Sequence, residues 1–419
     1  MPRPSRQPPS DPQSPSPEKT SREKRHGSGR RIGGRYELHE IAGRGGMAVV
    51  WRGTQHGDVG FSRTVALKQM HDHLADSQIY VDMFAEEARV LATVASPNIA
   101  AVYDFVNEDG QYYLVQEWID GIDLGSYIHY YFADDSRTRW DLVTAIGIGV
   151  MRALAAAHER RDPDGKIVPV VHRDVSPHNI LVTGDGMVKL IDFGLSLAVD
   201  RGKELTDPGI VKGKMSYLSP EIVGGQRPSP LSDQFAAGSV LWEALVGHKL
   251  FDGQNDYEIY KKLRDGHVAP LRPLRRDVPR ELAAVIHRAL AVDESKRFES
   301  AREMANHLVD VLRSHRAPRD LQDLLGESAR EAREGMSRLQ RTLEPSSSAT
   351  PLADLEQGSP ITLDRIKRPR PETGSEDTPA RAERARTARE TASADPAAKK
   401  GLLHKIPLFL RRFAGMEDS

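Results

Sequence analysis

The chain has 419 residues, a formal net charge of −1 and no cysteine. That length holds one large or two ordinary domains with tails. The balance of 59 basic against 60 acidic residues argues against a wholly basic nucleic-acid binder. The lack of cysteine excludes disulfide scaffolds, zinc–thiolate and iron–sulfur centres and cysteine nucleophiles. Hydrophobic residues make up only 38 % of the chain and the 27 prolines gather outside its middle, so disordered flanks are expected.

Residues 1–34 read as a Pro/Ser-rich, mildly basic arm. Its cluster of Arg22, Lys24, Arg25, Arg30 and Arg31 suits a solvated tail first and a dock for an acidic partner second. From Tyr36, glycine-broken β-branched runs predict short strands through Met70. Residues 81–95 predict a helix with Phe84, Ala88, Leu91 and Val94 or Ala95 near one face. Residues 112–119 predict a buried strand, and Val143, Ile146, Val150 and Leu154 mark a core helix over 141–158. A strand-rich lobe is therefore followed by a larger helical one, closing near His315. Residues 316–344 are charged and helix-prone, with Leu321, Leu324 and Leu325 as a weak stripe that either packs on the domain or stands alone. Residues 345–398 read as a disordered linker. Residues 399–419 open with leucines and phenylalanines among lysines and arginines, which fits a membrane-surface segment, a docking peptide or an intramolecular contact. No apolar run approaches the ~18–20 residues of a membrane span and no signal-peptide core is visible, so a cytoplasmic location is expected.

Four pieces carry chemistry. Gly43-Arg44-Gly45-Gly46-Met47-Ala48-Val49-Val50 is glycine-rich where backbone could approach phosphate. The β-branched residues and Trp51 that follow predict a strand, which places the glycines in a loop between two strands. Lys68 ends the apolar run Val65-Ala66-Leu67, and a lysine there needs an anionic partner. Glu87, three residues after Phe84, is the candidate, with Glu86 turned about 100° away on a helix. His172-Arg173-Asp174-Val175-Ser176-Pro177-His178-Asn179 and Asp192-Phe193-Gly194 complete the set. Two carboxylates and an amide on adjacent loops can serve as a base and as hard oxygen ligands for magnesium. His71 and His73 lie in a loop without metal partners in the sequence.

On these residues, residues 36–314 resemble the eukaryotic-like (Hanks-type) protein kinases, bacterial serine/threonine branch. Ser219-Pro220-Glu221, Asp233 and Arg297 fit later landmarks of that family. The resemblance implies an α+β bilobal fold over 35–315, with a small β-rich lobe and a larger helical lobe. It implies ATP and Mg²⁺, and transfer of the γ-phosphate to Ser/Thr hydroxyls of protein substrates, with autophosphorylation, in bacterial signalling. By residue, it implies that Ala42, Gly43, Arg44, Gly45, Gly46, Met47, Ala48 and Val50 cover the phosphates. Lys68 holds the α- and β-phosphates, positioned by Glu87. Glu117 to Ile119 meet adenine through backbone groups, Gln116 is the gatekeeper, and Asp123 touches the ribose. Asp174 accepts the substrate proton, and Asn179 and Asp192 hold magnesium. Arg297–Glu221 and Asp233 are architectural.

Two positions depart from the family. Ser176 stands where a lysine is usual, and Lys214 where a threonine is usual. An exchange of loops between these groups is expected, Lys214 bringing the positive charge to Asp174 and Ser176 the hydroxyl. Thr206 is expected to be an autophosphorylation site whose phosphate Arg173 receives. Because Ser176 and Ala48 are nonstandard, an ATP-binding pseudokinase scaffold is the alternative. Protein substrates and an upstream kinase are the expected partners, and nucleic acid is not.

Overall fold

The computed structural model describes residues 29–133, 136–194 and 215–343, with side chains as far as residue 339. The arm up to residue 28, Thr206, Lys214, the linker 345–398 and the tail 399–419 lie outside the described residues.

The amino-terminal lobe is an antiparallel sheet of β1 (Arg31–Ile32), β2 (Tyr36–Arg44), β3 (Ala48–His56), β4 (Ser62–Met70), β5 (Val102–Glu108) and β6 (Gln111–Glu117). Its spatial order is β1-β2-β3-β4-β6-β5. Strand alternation divides its side chains between two faces. Ile32, Tyr36, Leu38, Trp51, Val65, Leu67, Tyr113 and Val115 form one core. Met70, Leu114, Val81, Phe84 and Ala88 form the other. The second core lies under helix α2 (Gln78–Ala92), which follows the short α1 (Asp72–Ala75). The arm proposed for residues 1–34 therefore ends sooner. Ile32 is fully buried, β1 pairs with β2, and Gly29 N–H donates to the Leu38 carbonyl at 2.7 Å. One apolar residue in a basic, glycine-rich stretch gave too little periodicity to show this. Helix α2 also stops at Ala92, so Val94 and Ala95 lie beyond it.

The second lobe begins with β7 (Gly121–Asp123) and α3 (Leu124–Ala133), then the core helix α4 (Trp140–His158). Strands β8 (Ile180–Thr183) and β9 (Val188–Leu190) join β7 in a three-stranded antiparallel sheet. Helices α5 (Pro220–Val223), α6 (Pro230–Val246), α7 (Asp256–Asp265), α8 (Leu271–Leu274), α9 (Arg280–Ala289), α10 (Ala301–Ser314) and α11 (Leu321–Leu343) follow. Ser229 caps α6, accepting from the Ser232 N–H, and Pro230 stands in its first turn, where a missing N–H does no harm. Val143, Ile146, Val150 and Leu154 are all buried, as their spacing predicts. By length and composition α4 could cross a membrane, which a scan for uninterrupted apolar runs passes over because Asp141 and Arg152 punctuate it. Most of it is buried inside the lobe, as in the core helix of a globular domain.

Candidate active site

The strand alternation of β4 places Lys68 on the face opposite Leu67, toward α2. There its Nζ lies 3.1 Å from Glu87 Oε1 and 3.0 Å from Asp192 Oδ1. Glu87 is buried on the inner face of α2, whereas Glu86 is exposed and pairs with Arg89. The choice between the two glutamates made from helical phase is thus the one the packing makes. Burial works to lower the Lys68 ammonium, but Asp192 and Glu87 outweigh it and hold it above its ordinary range. Glu87 has one cation where Lys68 has two anions, and burial pushes its carboxyl up against the pull of Lys68.

The glycine segment is the hairpin between β2 and β3. Gly43, Gly45 and Gly46 do not have positive φ, and a Cβ built on Gly43 or Gly46 meets no atom within 4 Å. Neither backbone conformation nor internal packing asks for glycine at these two positions. What they leave is open space beside the backbone, as close approach of a phosphate chain requires. His71 holds the hairpin: its Nε2 lies 2.9 Å from the Gly45 carbonyl, and its backbone N–H donates to the Met47 carbonyl at 3.0 Å. Sequence reasoning considered His71 only as a metal ligand. Its position just past the end of β4 was the available signal.

The segment His172–Asn179 hangs from Asp233 on α6. Asp233 Oδ2 accepts from the His172 N–H at 2.8 Å and Oδ1 accepts from the Arg173 N–H at 3.0 Å. His158 Nε2 lies 2.8 Å from the same carboxylate. These bonds hold Arg173 at φ +70°, an uncommon backbone for a bulky residue. His172 accepts from the Asp174 N–H on Nδ1 at 3.2 Å and donates from Nε2 to the Ile191 carbonyl at 3.0 Å. Burial lowers its imidazole, so it stays the neutral tautomer those two bonds require. It thereby joins the loop of Asp174 to the residue preceding Asp192, which has φ +54°.

Asn179 donates from Nδ2 to the Asp174 carbonyl at 2.8 Å and to Asp174 Oδ2 at 3.0 Å. Both partners are acceptors, so the amide orientation is fixed and its oxygen remains as the donor for a cation. With the Asp192 carboxylate this gives two hard oxygen ligands. Among the described residues no three His, Asp or Glu side chains form a metal cage. A pair of protein oxygens fits Mg²⁺, which is commonly held by one or two carboxylates together with substrate phosphates.

The strand β6 ends in the segment expected to meet adenine. Gln116 is buried behind it, and the Glu117 side chain is tied down by Lys189 at 2.7 Å and by the Ala101 N–H at 3.1 Å. The Glu117 backbone N–H donates to the Ala101 carbonyl at 2.8 Å, so this end of the strand is held by its backbone as well as its side chain. Asp123 closes β7. Burial works to raise its carboxyl, and hydrogen bonds from His178 and the Ser126 N–H outweigh it and hold it below the ordinary range. Ser176 precedes the turn Pro177–Asn179, half-buried in extended backbone. Its expected partner Lys214 lies outside the described residues. Away from the cleft, Arg297 and Glu221 form a buried two-pronged ion pair at 2.7 and 2.8 Å.

Comparison with known proteins bears on the family and the fold. A family model for the protein kinase domain matches residues 36–309. The chain is 35 % identical over 282 residues to the tyrosine-protein kinase MasK of Myxococcus xanthus, covering 67 % of this chain and 44 % of that protein. It is 32 % identical over 276 residues to the serine/threonine-protein kinase PrkC of Bacillus subtilis, covering 66 % and 40 %. It thus spans less than half the length of these two curated relatives. A crystal structure of a single-site mutant of the Mycobacterium tuberculosis PknI kinase domain matches with TM-score 0.51 and 27 % identity, over 68 % of this chain and 98 % of that one.

Proposed function

The chain belongs to the protein kinase family, and from that premise we propose that it transfers the γ-phosphate of ATP to serine or threonine hydroxyls of proteins. The observation that carries this reading is Lys68 between Glu87 of the first lobe and Asp192 of the second. That network fixes a cation on β4 across from Val50, where the glycine hairpin runs into β3. In the proposed reaction the acceptor oxygen bonds to the γ-phosphorus as the bond to the bridging oxygen of ADP breaks. Asp174, oriented by Asn179 and the His172 ring, takes the hydroxyl proton. Lys68 orients the α- and β-phosphates, and the backbone of Glu117 and Ile119 and the Asp123 carboxylate orient the nucleoside. Magnesium held by Asn179 and Asp192 would offset phosphate charge. The need for ATP supports a cytoplasmic placement.

The likeness to MasK, named a tyrosine-protein kinase, together with Ser176 in the position of the usual lysine, favours a second reading in which tyrosine is the acceptor. Acid hydrolysis of the labelled product and separation of its phosphoamino acids tests the choice. Phosphoserine or phosphothreonine is expected; phosphotyrosine alone would transfer the assignment to the second reading.

A further inference from the structure

Helix α11 lies beyond the residues matched by the kinase family model, yet it is built into the second lobe. Its buried face is Leu325, Ala329 and Ala332, with Gly326 and Gly335 beside them. The contact is as close as side chains allow. A Cβ on Gly326 would stand 2.6 Å from the Gly184 carbonyl, and one on Gly335 would enter the Tyr130 ring. Ser328 and Glu331 meet a row of tyrosines on α3: Ser328 Oγ lies 3.0 Å from the Tyr127 hydroxyl, and Tyr131 donates to the Ser328 carbonyl at 3.1 Å.

What the helix grips is the three-stranded sheet β7-β8-β9. At the β8–β9 turn, Gln322 donates to the Asp185 carbonyl at 3.1 Å and Arg330 donates to the Gly184 carbonyl. At the start of β7, Arg333 pairs with Asp120 at 2.6 Å. Asp120 directly follows Glu117 to Ile119. The sheet is small, with strands of three and four residues, and a sheet of that size needs support on its faces and ends. Its ends carry the site: Asp123 is the last residue of β7, Asn179 directly precedes β8, and Asp192 follows β9 by two positions.

We propose that α11 positions the nucleotide site, with Arg333, through Asp120, as the positioning residue that fixes the adenine-binding segment relative to Asp123. The proposal rests on the reading of Glu117 to Ile119 as that segment. The test uses the full chain and titration calorimetry with ATP and Mg²⁺, followed by steady-state kinetics. Arg333→Ala removes an exposed pair, so a weakening of ATP binding of up to about fivefold is expected. The change is expected in KM for ATP, with kcat altered by less than about twofold. The exchange Asp120→Arg/Arg333→Asp is expected to recover most of the loss. Ala332→Glu forces a charge into the buried face. It is expected to weaken ATP at least about fivefold, because it removes the Arg333 contact with all the others, and to speed hydrogen exchange in residues 117–123 and 183–187. Should Ala332→Glu fail to fold, the Arg333 variant and its charge exchange decide alone. ATP affinity and exchange equal to wild type in the variants would overturn the proposal. Failure of the wild type itself to bind ATP would instead overturn the reading of the site.

Discussion

Replacing Lys68 by methionine keeps an unbranched side chain of similar length and removes the cation between Glu87 and Asp192. The two carboxylates are unequal: the Glu87 side chain is 1 % exposed and that of Asp192 37 %. The cost therefore falls on Glu87. Removing one partner of a buried ion pair costs about 3–5 kcal/mol, because the remaining charge is left uncompensated. Burial already pushes the Glu87 carboxyl up, and without the pull of Lys68 it rises further. A carboxyl raised in the folded state binds protons that the unfolded chain releases. The variant should then be closest to wild type below the unfolded carboxyl range, about 4.3, and should lose stability as pH rises through the folded value. Thermal melting at about pH 5 and about pH 8 reads this directly, with the larger deficit at the higher pH. The double variant Lys68→Met/Glu87→Gln removes the stranded charge, and is expected to recover most of the stability at about pH 8 while remaining inactive. A Lys68→Met protein that melts like wild type at the higher pH, or a double variant no more stable than the single one, would refute the reasoning.

Three further outcomes are expected. Glu221→Leu leaves the Arg297 guanidinium, whose side chain is fully buried, without its carboxylate. It should cost about 3–5 kcal/mol in denaturant unfolding, and Arg297→Leu added to it should restore much of that; equal stability of all three proteins would contradict the buried-pair account. For the proposed exchange of loops, Ser176→Lys/Lys214→Thr should retain more activity than the product of the two single losses, whereas multiplicative losses would remove the idea. Thr206→Ala should lower activity and delete one phosphopeptide from the autophosphorylation map. Arg173 supports this, since its Nε is buried with no hydrogen-bond partner among the described residues; an unchanged map would count against it.

The first lobe and its chemistry were legible because both repeat short rules. Lys68 at the end of an apolar run calls for an anionic partner, helical phase selects Glu87 over Glu86, and the glycines followed by β-branched Val49 and Val50 announce a loop between two strands. The supports of the site were less legible. His71, Lys189 and His178 act through one or two long-range hydrogen bonds each, and a lone polar residue in a sequence carries no trace of its partner. Asp233 was expected to be architectural, but its role as hub for the His172 and Arg173 amides exists only once α6 crosses behind the loop. Helix α11 shows the limit most clearly. Its leucines suggested Leu321, Leu324 and Leu325 as the face, whereas the close contact is made by Leu325, Ala329, Ala332 and two glycines. Small residues bury little apolar surface and give almost no hydrophobic periodicity, though they permit the closest approach. Ile32 escaped notice for a related reason, as a single buried residue in a polar setting.

The measurement that bears most directly on the central claim is label transfer from γ-labelled ATP with Mg²⁺ to a generic protein acceptor, comparing the full chain with its Asp174→Asn variant. The variant keeps the size of the side chain and the ATP-binding groups, and loses the proton acceptor. Transfer by the wild type, reduced in the variant by on the order of 10²–10⁴-fold with ATP binding retained, is the predicted result. Equal transfer by the two proteins, or ATP binding with no transfer by either, would contradict the assignment of Asp174 as the base of a phosphotransferase.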